Sequence, residues 1–194
     1  MHYLIYHLEE ASGHVEMLRT SELDATEQAA YAKQGERYLL IRTLLKRELA
    51  RLCGMAAGEI RFTYTENGKP EFAAQPFNIS HSGGLLCMAF HHRAVGVDVE
   101  RVRERAQMEG LARRIMCTAQ REAWEKRGRG VEEFFACWCA AEALTKHCGG
   151  TLWQAQQRPF LWQPGGRIET LYEGAPKVEL FAPAAGYQGA VAYD

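Results

Sequence analysis

Several signals are scarce in these 194 residues. The six cysteines (Cys53, Cys87, Cys117, Cys137, Cys139, Cys148) contain no CxxC pair, so no zinc-ribbon or dithiol redox motif is present. Cys137 and Cys139 stand two apart in a stretch with helical spacing and point in different directions. All six are expected to stay reduced, most of them as small core residues. No apolar run approaches the roughly 20 residues of a membrane span. The opening MHYLIYHLEE lacks the cationic lead of a secretory signal and reads as a first strand, so a cytoplasmic protein is expected. An excess of either charge is missing too. With 23 basic against 24 acidic residues the net charge is −1, which excludes a general attraction to nucleic acid or anionic lipid and makes any basic site local. Short-period repeats and low-complexity tracts are absent.

What remains is a globular composition, 47% hydrophobic and 24% charged, long enough for one large domain or two small ones. Thr20 or Ser21 offers a cap for a short helix. A longer helix is expected from about Glu36 to Cys53, with an apolar stripe at Ile41, Leu44, Leu45, Leu49 and Leu52 and a stop at Gly54. IRFTYT alternates as a strand, Asn67-Gly68 marks a turn, and Lys69-Pro70 leaves it extended. FNIS and LLCMAF read as strands joined around His81–Gly84, and VGVDVE as another. CTAQREAWEKRG is helical, with Thr118 as cap and an end near Gly128. EEFFACWCAAEALTKHCGG is a stronger helix that turns Phe134, Phe135, Trp138, Ala141 and Leu144 to a core. The tail returns to short strands, with QPGG and EGAP as turns. This order gives an α+β arrangement in which two similar halves meet near residue 101.

Chemistry concentrates in a few places. In VGVDVE, Asp98 and Glu100 share a strand face with Gly96, opposite Val95, Val97 and Val99. Two carboxylates so placed repel unless a cation intervenes, and a hard divalent ion prefers oxygen ligands; the alternative is a solvated strand edge. Glu142 and Lys146 are four apart on a helix, either a surface ion pair or an acid and a base beside the buried stripe. Arg37 stands one turn before Ile41, at the head of the stripe or simply solvated. FNISHSGG offers a nucleophile with its base, a phosphate cradle or a polar turn. Neighbouring strand residues point to opposite faces and the G-x-S-x-G elbow is missing, so Ser80 and His81 fit a cradle of His donor, hydroxyls and glycine-freed amides better than a nucleophile.

NGKPEF, FNISHSGG, AVGVDVE and WCAAEALTK, in this order and spacing, resemble the 4′-phosphopantetheinyl transferases of the surfactin-synthetase-activating type. The similarity runs from about Arg37 to Leu152. It implies a monomer of two pseudo-symmetric α/β halves, 1–101 and 102–194, each a small, mainly antiparallel sheet packed with helices, with coenzyme A bound in the cleft between them. By that resemblance Asp98, Glu100 and Glu142 hold Mg²⁺ against the pyrophosphate. His81 and Lys69 contact the phosphates with Ser80 nearby, Arg37 reaches the adenosine 3′-phosphate, and Lys146 sits near the pyrophosphate. The implied reaction moves phosphopantetheine from coenzyme A to a serine of an acyl or peptidyl carrier protein of fatty acid, polyketide or nonribosomal peptide synthesis. Glu142 serves as base and Lys146 offsets charge. The pattern departs from the family at three points: Ala141 stands where a lysine usually precedes the glutamate, KHCGGTL replaces K-x-x-G-x-G-L, and Gln120 stands for a glutamate. A non-catalytic coenzyme A-binding relative is the alternative. Carrier docking is expected at Arg101, Arg103, Arg105, Arg113 and Arg114 with Met108, Leu111 and Met116, against a plain solvated face.

Overall fold

The computed structural model describes the backbone of residues 1–194 and every side chain except that of Trp153. In chain order, β1 (His2–His7) leads to α1 (Leu8–Ser12), α2 (Ala25–Gln34) and α3 (Glu36–Cys53), then the short strands β2 (Thr63–Tyr64) and β3 (Pro70–Glu71). β4 (Phe77–Ser82), β5 (Leu85–Phe90) and β6 (Val95–Arg101) follow, then α4 (Met108–Ile115), α5 (Thr118–Lys126) and α6 (Val131–His147). The chain ends in β7 (Phe160–Gln163), β8 (Arg167–Thr170), β9 (Lys177–Phe181) and β10 (Tyr187–Tyr193). The fold is α+β. Among the described residues no helix is long and apolar enough to cross a membrane.

By packing, the chain forms two compact units, Tyr6–Pro76 and Met1–Ile5 with Phe77–Asp194. The first is organised by α3, whose bounds match the expectation. Gly54 closes it in the left-handed region at φ 67°, where a side chain would be strained. Leu44, Leu45 and Leu49 are buried along its stripe. The cap expected at Thr20 or Ser21 lies instead at Asp24. Residues 20–22 make only a 3₁₀ turn, while the Asp24 carboxylate accepts from the Glu27 N–H at 2.8 Å and the Glu27 carboxylate from the Asp24 N–H at 2.9 Å. Two orphan amides are thus satisfied reciprocally, which a lone hydroxyl cannot do. The strand expected over IRFTYT shrinks to Thr63–Tyr64, because Ile60 ends a 3₁₀ turn and is fully buried there.

This unit also buries charge. Glu27 and Lys46 are fully buried and Arg42 is 7% exposed. Lys46 Nζ lies 2.7 Å from Glu27 Oε2, and Arg42 Nε 3.3 Å from Glu27 Oε1. The Phe62 ring receives both cations, at 4.9 and 5.6 Å, and the Tyr38 ring receives Arg42.

The second unit carries two three-stranded sheets, ordered β1-β5-β4 and β6-β10-β9. β10 pairs antiparallel with β6 in a register that sets Ala190 opposite Asp98. The core gathers Phe134, Phe135, Leu144, Trp124 and Phe160 around α6. Val95, Val97 and Val99 pack with Cys87, Ala89 and Val191. α5 begins at Thr118 with Cys117 as its cap and no side-chain cap bond, so Thr118 is the first helical residue rather than the cap. Gln120 is fully buried. Its amide donates to Glu133 Oε1 at 2.9 Å and its carbonyl accepts from the Trp162 N–H at 2.6 Å. Arg127 closes on the same Glu133 carboxylate. A glutamate at 120 would set two buried carboxylates against each other, which explains the amide here.

Candidate active site

The strand β6 is stitched to β4 by side chains. Asn78, Ser80 and Ser82 share one face of β4, and each accepts a backbone N–H of β6. Asn78 Oδ1 takes Val97 N at 2.9 Å, Ser80 Oγ takes Val99 N at 3.3 Å, and Ser82 Oγ takes Arg101 N at 3.2 Å. On its other edge β6 bonds β10. The serines also donate, Ser80 Oγ to Asp98 Oδ1 at 2.7 Å and Ser82 Oγ to Glu100 Oε2 at 2.7 Å. FNISHSGG is therefore first a structural strip: alternate polar residues replace a strand ladder.

The face that bears Asp98 and Glu100 is covered by α6. Gly96 makes the approach possible. A Cβ there would lie 2.0 Å from the Ala143 carbonyl oxygen and 2.4 Å from the His147 nitrogen, so only glycine lets helix and strand backbones touch. The solvated edge considered above is excluded for Asp98, which is 4% exposed. The same approach carries Lys146 onto the strand, its Nζ 2.7 Å from Asp98 Oδ1 and 3.2 Å from the Val97 carbonyl oxygen. Lys146 thus pairs with Asp98, while the charge of Glu142 acts on it too. Burial pulls the Lys146 ammonium down, but Asp98 and Glu142 outweigh it and hold it above its ordinary value. Glu142 is pushed up from the usual carboxylate range, first by burial and then by the charges of Asp98 and Glu100, with Lys146 opposing. Three acidic groups from two elements thus act on one another.

Asp98 Oδ2 is buried and has no hydrogen-bond partner. A buried carboxylate oxygen in that state asks for a cation or a donor. Hard oxygen donors of this kind suit Mg²⁺. Among the described residues no three metal-ligating side chains already converge as a preassembled centre. Cys139, one turn before Glu142, is fully buried. Burial and the Asp98 charge raise its thiol well above the usual range, so it stays protonated and does not compete as a ligand.

The structure brings Ser80, Asp98, Glu100, Glu142 and Lys146 into one unit, together with His81. His81 is exposed and stands on the face of β4 opposite Ser80. Arg37 and Lys69 belong to the other unit. Arg37 is exposed in the first turn of α3. Lys69 is half-buried, its N–H donating to Thr65 Oγ1 at 3.1 Å. Ala141 is 2% exposed within the α6 core, and its methyl supplies no charge at that position. Arg105 meets Glu100 Oε2 at 3.5 Å, with its guanidinium over the Phe135 and Trp138 rings. Sequence reasoning placed Arg105 in a docking patch and passed over Asn78, Ser82 and the role of Gly96. The available signal was the alternation of Asn78, Ser80 and Ser82 on a face whose partner strand has polar residues at the matching spacing.

Residues 94–188 match the 4′-phosphopantetheinyl transferase superfamily. The chain is 36% identical over 135 residues to the 4′-phosphopantetheinyl transferase AcpT of Salmonella typhi, covering 64% of this chain and 66% of that one. It is 29% identical over 141 residues to HetI of Nostoc (68% and 60%), and 28% identical over 123 residues to Sfp of Bacillus subtilis (61% and 54%). Each match therefore spans just under two thirds of the relative's length, or less. The shared segment contains β6 and α6, the two elements that carry the acidic cluster. Over residues 94–188 the chain is thus similar to the 4′-phosphopantetheinyl transferase superfamily.

Proposed function

We propose that this chain transfers the 4′-phosphopantetheine group of coenzyme A to a serine hydroxyl of an acyl or peptidyl carrier protein, releasing 3′,5′-ADP, with Mg²⁺ as cofactor. The observation that carries the reading is Asp98: one oxygen tied to Ser80 and Lys146, the other buried and unpartnered, beside the acidic Glu100 and Glu142. Asp98, Glu100 and Glu142 would hold the ion, which supplies positive charge against the pyrophosphate of coenzyme A. Lys146 adds charge for the leaving diphosphate, and its raised pKa keeps it an ammonium. Glu142, raised by burial, is suited to take the serine proton as the hydroxyl attacks the β-phosphorus. His81 and Lys69 bind phosphate and Arg37 the adenosine 3′-phosphate. Ser80, with its hydroxyl committed to Asp98 and Val99, serves the carboxylate.

The same reading takes residues 1–101 and 102–194 as related halves of a cytoplasmic monomer. The likeness of the halves finds support in β5 and β10, each the central strand of a three-stranded sheet, although β6, within 1–101, belongs to the sheet of β10. Carrier docking is placed at the cavity of about 570 Å³ where Arg105, Arg114 and Arg129 stand with Met108 and Leu111, although Glu104 and Glu109 also line it. Cationic and apolar groups there suit an acidic carrier helix.

The test is mass spectrometry of apo carrier proteins after incubation with this protein, coenzyme A and Mg²⁺. The expected result is a carrier heavier by one phosphopantetheine. Asp98→Ala and Glu142→Gln, each folded, should abolish the shift. Retained turnover in both refutes the site. Coenzyme A binding without transfer by the unaltered protein would favour the non-catalytic alternative.

A further inference from the structure

The polar strip on β4 builds the same small unit twice. In the first, the Ser80 hydroxyl accepts from the Val99 N–H and donates to Asp98 Oδ1, and that same oxygen meets the Lys146 ammonium. In the second, the Ser82 hydroxyl accepts from the Arg101 N–H and donates to Glu100 Oε2, and that same oxygen meets the Arg105 guanidinium. Each unit has a serine, the amide that follows the carboxylate, one carboxylate oxygen and one cation. The two repeat at the two-residue period of the strand. Asn78 continues the strip, bonding the Val97 N–H at 2.9 Å, but the β6 residue beside its contact is Gly96 and no carboxylate is involved.

We propose that Ser80 and Ser82 are positioning residues that preset the two β6 carboxylates for a divalent ion. Each hydroxyl ties down one oxygen and one side-chain rotamer, so that the other oxygen is presented without a search. In the Asp98 unit the result is visible as the buried, unpartnered Oδ2. A hydroxyl suits the task because it donates and accepts at once. One side chain thereby fixes both the carboxylate and the strand that bears it. The inference rests on the reading of Asp98 and Glu100 as metal ligands.

The experiment is Mn²⁺ binding, followed by the electron paramagnetic resonance signal of the free ion, with thermal unfolding of every variant measured in parallel. Ser80→Ala and Ser82→Ala should each weaken Mn²⁺ about 10-fold, the loss typical of removing a ligand's hydrogen-bond partner. Ser82→Thr, which returns the hydroxyl, should restore most of the affinity. Asn78→Ala loosens the same stitch without touching a carboxylate. It should lower the melting temperature while leaving Mn²⁺ affinity near that of the unaltered protein. Equal loss of affinity in Asn78→Ala and Ser82→Ala would show that strand integrity alone matters and overturn the proposal. So would undiminished binding in both serine variants while Asp98→Asn loses the ion. Failure of the unaltered protein to bind Mn²⁺, or full binding by Asp98→Asn, would overturn the metal reading itself.

Discussion

Glu27 in the 6–76 unit and Asp98 in the other are both carboxylates that solvent scarcely reaches, at 0% and 4% exposure, yet their surroundings are built on opposite plans. Around Glu27 each oxygen faces a cation, Lys46 on one and Arg42 on the other, and the Phe62 and Tyr38 rings close over the charge. The balance is two cations to one anion. Around Asp98 the balance is reversed: Asp98, Glu100 and Glu142 against Lys146 and Arg105. There the Ser80 hydroxyl and the Lys146 ammonium crowd onto a single oxygen and leave the other alone. Glu27 Oε1, like Asp98 Oδ2, has no hydrogen-bond partner; what sets Glu27 apart is that a cation stands against each of its oxygens, Arg42 Nε lying 3.3 Å from Oε1. On the proposed reading, Asp98 keeps an oxygen back for a ligand, and the protein carries the cost of that unfilled valence until one arrives.

This contrast breaks most visibly at Glu27. Glu27→Ala leaves two buried cations without their anion, and the loss of one partner from a buried pair costs about 3–5 kcal/mol. Urea unfolding should show that loss as a lower midpoint. In the proposed transfer assay, activity per folded molecule should stay near that of the unaltered protein, because Glu27 belongs to the structural cluster. A smaller effect is expected at the Gln120–Glu133–Arg127 network, a second closed cluster. Gln120→Glu removes the donor to Glu133 and adds a fully buried anion, a loss of about 2–3 kcal/mol. If urea unfolding finds Gln120→Glu as stable as the unaltered protein, the amide is not what closes that network.

The same contrast divides what could be read from residues alone. The bounds of α3 were legible because propensity, the stripe of leucines and the Gly54 stop all agree over a long element. Asp98 and Glu100 were legible as a pair because strand side chains alternate with period two. What covers their face was not legible. The descent of α6 onto β6 depends on Gly96, and a lone glycine in a strand pattern signals close approach without naming the neighbour. Lys146 stands four residues from Glu142, a local relation, but its contact with Asp98 comes from tertiary packing. The Asp24 cap was missed because several capping residues precede α2 and only the reciprocal bond with Glu27 selects among them. The serine strip was read through its histidine and glycines, which drew attention to ligands. Its use as a substitute ladder appears only once β4 lies beside β6.

The smallest expected effect has the opposite sign. In the protein freed of metal by chelator, Glu142 is a carboxyl held above its ordinary range by burial and by Asp98 and Glu100. Its ionised form is therefore disfavoured in the folded state. Below the ordinary glutamate value the group is protonated both folded and unfolded, and it costs nothing. As pH rises from there through the raised folded value, the unfolded chain releases its proton more readily, and stability is lost. Glu142→Gln removes that penalty. The metal-free variant should melt a few degrees higher than the unaltered protein at neutral pH, and the two curves should converge as the pH falls below the glutamate range. If Asp98, Glu100 and Glu142 hold Mg²⁺ as proposed, adding the ion should reverse the order at neutral pH, because only the unaltered protein keeps all three carboxylates and is stabilised by binding. A Glu142→Gln protein that melts lower than the unaltered one in chelator would mean that the pairing of Glu142 with Lys146 outweighs its burial. The acidic cluster would then be a structural network of the Glu27 kind.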